Sequence, residues 1–191
     1  EDAPRFPWRG VMIDTSRHFY PVSSILAMID AISFNRMNVL HWHISDSQAF
    51  PGGSETYPEL AEKGAYLYPE AAYSIDDFKG LVEYARLRGV RVMPEWDIPG
   101  HGAWGKGMPS IMGCDIVLDP TLDATYAFLN SFFGEMMTIF EGDYVFLGWV
   151  GGWVFLLFLF IRLSTMRFDN TYDHVLTPAF SMSSRRAPPL F

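Results

Sequence analysis

The sequence predicts an α/β fold on a parallel sheet. Two observations carry that reading. Short apolar runs of strand type alternate with longer stretches whose apolar residues recur at helical spacing, in the order β-α-β-α-β-α-β. The segments after the strands are long and polar, whereas those after the helices are short. Long loops confined to strand C-termini are the arrangement of a (β/α)8 barrel, which builds its site on that face. A complete barrel takes about 250 residues, and only four strands are legible in this chain of 191 residues. The expected architecture is therefore a partial TIM (β/α)8 barrel, about its first four β-α units, followed by an apolar C-terminal tail.

Each element has its own signal. Gly10 to Asp14 (GVMID) is a short apolar run that ends in an acid, the first strand. Pro21 suits the first turn of a helix, and Ile25, Met28, Ile29 and Ile32 then recur on one helical face. Asn38 to Ile44 is the second strand. A long excursion from Ser45 to Tyr73 follows, with a short helix expected near Pro58 to Lys63; loops of this length are usually functional or disordered. Ser74 and Asp77 form a capping-box pattern ahead of a helix with Phe78, Leu81, Val82 and Ala85 on its apolar face. Gly89 stands where a C-terminal cap belongs. Val90 to Trp96 is the third strand, again followed by acids. Ile98 to Pro120 is a second long loop, rich in Gly and Pro. Leu122 to Phe140 reads as a helix and Tyr144 to Gly148 as a fourth strand.

Composition bounds the function. Apolar residues make up 49% and aromatic residues 16%, enough to fill a core. A net charge of −8 argues against nucleic-acid binding through a general basic surface. The single cysteine, Cys114, excludes an intrachain disulfide. The chain opens at Glu1 without a methionine or signal-peptide pattern and reads as a mature chain or an excised fragment. Charge is uneven along it: residues 149–191 carry four Arg, two Asp and no Lys, Glu or Gln. That shift marks a boundary, giving one unit over 1–148 and a different tail over 149–191.

Polar groups gather where the strands end: Asp14, Arg17 and His18 after the first, His41, His43 and Asp46 around the second, Glu95, Asp97 and His101 after the third. In a parallel barrel these converge on one mouth. An arginine, carboxylates and imidazoles beside Trp42, Trp96 and Trp104 describe a carbohydrate pocket, with rings for sugar faces and charged groups for hydroxyls. Structural readings stand beside these. Asp14 serves either the site or a pairing with Arg17. His41 and His43 point to one face, His41 as a buried hydrogen-bonded histidine and His43 as that or a ligand. Glu95 is a mouth acid held by Arg91 or another base. The HxH pair is a weak metal signal; no metal and no cofactor are expected.

The stretches RGVMIDTSRHF, FNRMNVLHWHISDSQAFP, YPELAEKGAY, VEYARLRGVRVMPEWDIPGHGAWGKG and DPTLDATYAFLNSFF closely resemble the catalytic domain of family 20 glycoside hydrolases, in particular eukaryotic lysosomal-type β-N-acetylhexosaminidases. The resemblance covers residues 5 to 148 in order. It implies a TIM barrel that removes terminal N-acetylglucosamine or N-acetylgalactosamine with retention, by a substrate-assisted route in which the substrate's acetamido oxygen attacks the anomeric carbon. An aspartate then orients the acetamido group and the adjacent glutamate is the general acid. The resemblance implies substrate-binding roles for Arg17, Asp46 and His101 and supporting roles for Asp97, His43 and Glu95. It implies N-acetylhexosamine-containing glycans as partners, a lysosomal or secreted location, and a family that is often dimeric.

The resemblance stops at Gly148. There the family carries a motif like HLGGDEV, which supplies the Asp-Glu pair. This chain reads Phe146-Leu147-Gly148-Trp149-Val150, and no Asp or Glu follows until Asp169. No catalytic residue is assigned, and residues 149–191 are expected to be non-family sequence, intron-derived or disordered. The uncharged run from Tyr144 to Ile161 begins inside the fourth strand and contains glycines, so no membrane span is expected. The expected function is that of a hexosaminidase-like hydrolase truncated before its catalytic pair and inactive as it stands; the alternatives are a non-catalytic carbohydrate-binding pseudoenzyme and a metal-dependent barrel enzyme using His41 and His43. Open strand edges in a half barrel lead us to expect poor solubility.

Overall fold

The computed structural model describes residues 3–101, 103–114, 116–140 and 145–148. At its centre lies a parallel sheet in the order β1-β2-β3, made of β1 (Gly10–Asp14), β2 (Val39–Ser45) and β3 (Arg91–Trp96). The register places Met12 beside His41 and His41 beside Met93, and it places Asp14 beside His43 and His43 beside Glu95. Strand period then sorts the side chains. Met12, Asp14, His41, His43, Met93 and Glu95 share one face. Leu40, Trp42, Ile44, Val92 and Trp96 share the other, and all five are buried.

Helices cover that second face. In α1 (Val22–Phe34), Pro21 is the N-cap rather than a first-turn residue, because its extended backbone turns its carbonyl to accept from the Ser24 and Ile25 N–H groups. Ile25, Ile29 and Ile32 are buried on the sheet, and Met28 is only partly so. A short α2 (Glu59–Gly64) lies in the first long loop, as expected. Ahead of α3 (Ile75–Arg86) the capping box is complete: Ser74 Oγ accepts from the Asp77 N–H and the Asp77 carboxylate accepts from the Ser74 N–H. Gly89 takes the left-handed conformation at φ +68, which lets the Val90 N–H reach back to the Ala85 carbonyl at 3.0 Å. The second long loop is more structured than its composition indicates. It holds α4 (Trp104–Gly107), a 3-10 turn (Pro109–Ile111) and a small antiparallel pair of β4 (Met112–Cys114) and β5 (Val117–Leu118). The helix α5 (Asp123–Met137) buries Phe128, Leu129, Phe132, Phe133 and Met136.

The aromatic residues pack with each other. Trp42 meets Tyr73 and Phe78 edge-on, and Phe50, Trp96, Trp104 and Phe132 form a second interlocked group. This corrects the expectation that Trp42, Trp96 and Trp104 line a pocket, since all three are 0% exposed. Strand alternation is the reason: Trp42 lies between His41 and His43 and must face away from them.

The expected fourth strand is present as a bridge. Phe146 N–H donates to the Pro94 carbonyl (2.9 Å), its carbonyl accepts from the Trp96 N–H (3.1 Å), and it runs parallel beside Glu95. Tyr144 and the tail over 149–191, including most of the uncharged run from Tyr144 to Ile161, lie outside the described residues. Among the described residues no helix is long and apolar enough to cross a membrane.

Candidate functional site

The site forms where the three strands deliver their C-terminal ends, and it begins with Asp14. One of its carboxylate oxygens accepts from the Ser16 and Arg17 N–H groups (3.0 and 2.9 Å), which turns the chain back after β1. The other accepts from Arg17 Nη1 at 2.6 Å. Asp14 is thus the acid that pins Arg17. Arg17 Nη2 reaches Asp46 Oδ2 at 2.5 Å. The Arg17 side chain is 50% exposed and that of Asp46 2%, so the guanidinium lies over the carboxylate and is the group open to solvent.

Below Arg17 the charges alternate. Asp46 Oδ1 accepts from the Ser47 N–H, and its Oδ2 lies 2.9 Å from His43 Nε2. His43 Nδ1 lies 2.9 Å from Glu95 Oε2, and the same oxygen lies 2.6 Å from His41 Nε2. The bases that hold Glu95 are therefore His41 and His43. Arg91 stands exposed at the opposite end of β3. Phe146 closes this end, its ring centroid 5.0 Å from that of His41.

A second branch comes from the loop after β3. His101 adopts a left-handed backbone (φ 53) and directs Nδ1 toward Asp97 and, at 3.2 Å, toward Asp46 Oδ2. Both contacts have ion-pair distance without hydrogen-bond geometry. Asp97 Oδ1 is buried without a hydrogen-bond partner among the described residues. It lies against Gly148, where an added Cβ would come within 1.7 Å of it.

These contacts set the proton affinities. Burial of the His43 ring lowers its pKa, but the bond and charge of Glu95 and the bond to Asp46 outweigh this and raise it to about 9. Burial raises Glu95, but His41 and His43 outweigh it and hold the acid at about 2. Asp14 is lowered: burial works against this, and the Arg17 N–H and guanidinium prevail. Asp97 is raised, chiefly by burial.

Two triads, His43–Glu95–Asp97 and Asp46–Asp97–His101, have donor atoms within 4.8 Å of one another. In each, cationic groups already face the carboxylates, His43 against Glu95 and Arg17 against Asp46. Such a donor set is that of an ion-pair network.

Arg17, Asp46, His101, Asp97, His43 and Glu95 are thus gathered in one cluster. His41 joins the network as the hydrogen-bonded histidine the sequence indicated. What the sequence missed is the far wall, shaped by Phe146 and Gly148. The strand alternation that put His41 and His43 on one face was the available signal for His41.

The profile of glycosyl hydrolase family 20, catalytic domain, matches residues 6–149. The chain belongs to this family. The family 20 chain is 48% identical over 158 residues to the beta-hexosaminidase subunit beta of Mus musculus, a match that covers 77% of the chain and 29% of that relative. It therefore spans less than a third of that relative's length. Among solved structures it resembles the chitobiase of Flavobacterium johnsoniae with a TM-score of 0.71 and 34% identity, over 76% of this chain and 24% of that one. It also resembles the exo β-N-acetylglucosaminidase of Vibrio harveyi in complex with N-acetylglucosamine, with a TM-score of 0.72 and 26% identity, over 85% of this chain and 31% of that one.

Proposed function

We propose that residues 1–148 are the N-terminal half of a hexosaminidase-type (β/α)8 catalytic domain, a substrate-binding wall without the catalytic pair. The observation that carries this is Arg17: a guanidinium half-exposed at the strand C-termini, fixed by Asp14 and Asp46. Held by carboxylates behind it, it offers its remaining N–H groups as a planar fork to hydroxyls of a terminal N-acetylhexosamine. Asp46 acts through Arg17, because it is buried beneath it. His101 and Asp97 complete the wall on the β3 side. An acidic compartment suits the network, since both charged partners of the His43–Glu95 pair are ionised there.

Hydrolysis needs a general acid at the leaving oxygen, and loss of such a group removes about 10²–10⁴ in rate. Residues after Gly148 supply no carboxylate until Asp169, so the chain binds glycan without turning it over. The decisive experiment incubates the purified chain with a chromogenic N-acetyl-β-glucosaminide and separately titrates it with N-acetylglucosamine by calorimetry. Binding without turnover is expected. Clear turnover would overturn the inactivity, and absence of binding would overturn the substrate-binding role.

A further inference from the structure

We infer that Glu95 and His41 are positioning residues: Glu95, itself held by His41, pins Nδ1 of His43, whose Nε2 is bonded to Asp46, and Asp46 fixes the guanidinium of Arg17. This rests on the reading of Arg17 as the sugar-contacting group. It goes beyond that reading by placing the control of Arg17 two strands away.

His43 faces a carboxylate at each nitrogen, Glu95 at Nδ1 and Asp46 at Nε2, both at 2.9 Å. A neutral imidazole carries one N–H and would present a lone pair to one of the two carboxylates. Only the imidazolium satisfies both. Glu95 spends a single oxygen on both histidines, so it orients His41 and His43 together, and the Phe146 ring packs against His41 on the other side. Among the described residues, the groups facing His43 are Asp14 on β1 and Arg17 after it, His41 on its own strand and Asp46 beyond, Glu95 on β3, and Asp97 and His101 in the next loop. Negative groups outnumber the fixed cation Arg17, and this keeps the ring charged.

Loss of the His43 proton breaks one of its two bonds. The remaining N–H can still serve Asp46, but from a neutral ring: Asp46 loses the charge that anchors it, and Arg17 is aimed less firmly. Glu95→Gln keeps shape and removes the charge that holds the proton, so His43 deprotonates at lower pH. Sugar binding by that variant should approach the wild type in acid and weaken toward alkaline pH. A merely structural role would weaken binding equally at both.

The test uses the full chain with isotope-labelled histidine. By NMR, His43 should be protonated on both nitrogens at about pH 7.5 in the wild type, and the Glu95→Gln variant should carry the neutral ring there. Calorimetry with N-acetylglucosamine should show near-equal affinity for the two proteins at about pH 5.5 and an about tenfold deficit for the variant at about pH 8. His41→Gln should shift both readouts in the same direction by less, and it serves if Glu95→Gln does not fold. A neutral His43 in the wild type at pH 7.5 would overturn the inference, as would a variant deficit independent of pH. If the wild type binds no sugar, the functional reading fails alone, because the protonation of His43 in the wild type and in Glu95→Gln still reports on the relay.

Discussion

Gly148 sits in left-handed backbone at φ +71, and a methyl group there would lie 1.7 Å from Asp97 Oδ1. Two costs follow from any side chain. Left-handed backbone disfavours a Cβ by about 1–2 kcal/mol, and Asp97 must move, stranding a buried carboxylate from His101 for about another 1–3 kcal/mol. Gly148→Ala should therefore lower unfolding stability by about 2–5 kcal/mol in a urea titration; a change under about 0.5 kcal/mol would contradict the described contact. The sequence marked Gly148 as the last residue of a strand and of a resemblance. Its reason is the carboxylate of a residue far back in the chain, which no local pattern records. Trp42 makes the same point in reverse. Its alternation with two histidines was legible, yet its ring type drew it toward a pocket it does not line.

At the scale of elements, locality decided what could be read. The cap of α3 is contained in four consecutive residues, and the structure reproduces it bond for bond. Ser74→Ala should cost about 1 kcal/mol, seen as a lower urea midpoint at unchanged slope; no change in midpoint would show that water replaces the cap without loss. The hairpin of β4 and β5 was not readable. Its strands hold three and two residues, too few for a period. What secures it is non-local, including the Leu118 N–H on the Pro99 carbonyl (2.9 Å) and the Asp119 N–H on the Ile111 carbonyl (2.8 Å).

For the whole molecule, the buried network couples stability to pH. His43 is raised from 6.5 to about 9, so its contribution is complete below 6.5 and is lost as pH climbs toward 9. Glu95 is lowered from 4.5 to about 2, so its contribution is complete above 4.5 and is lost as pH falls toward 2. Asp14, also lowered, adds to the acid limb, and Asp97, raised by burial, opposes it. Unfolding stability, followed as melting temperature, should therefore be highest at about pH 4.5–6.5, and the free energy should decline on both sides by at most about 3 kcal/mol per limb, largely through one shared pair. A flat profile from pH 5 to 9 would show that His43 is not held charged. By itself the sequence determined the order of strands and helices, the family, the set of polar residues at the strand ends and the lack of a carboxylate between Gly148 and Asp169, because periodicity, caps and motif spacing are local. Only the tertiary structure decided which of those polar groups touch, that Arg17 covers Asp46, and that the tryptophans turn inward. Those outcomes depend on parallel register, which sets residues from three separate strands side by side and assigns each to one face of the sheet.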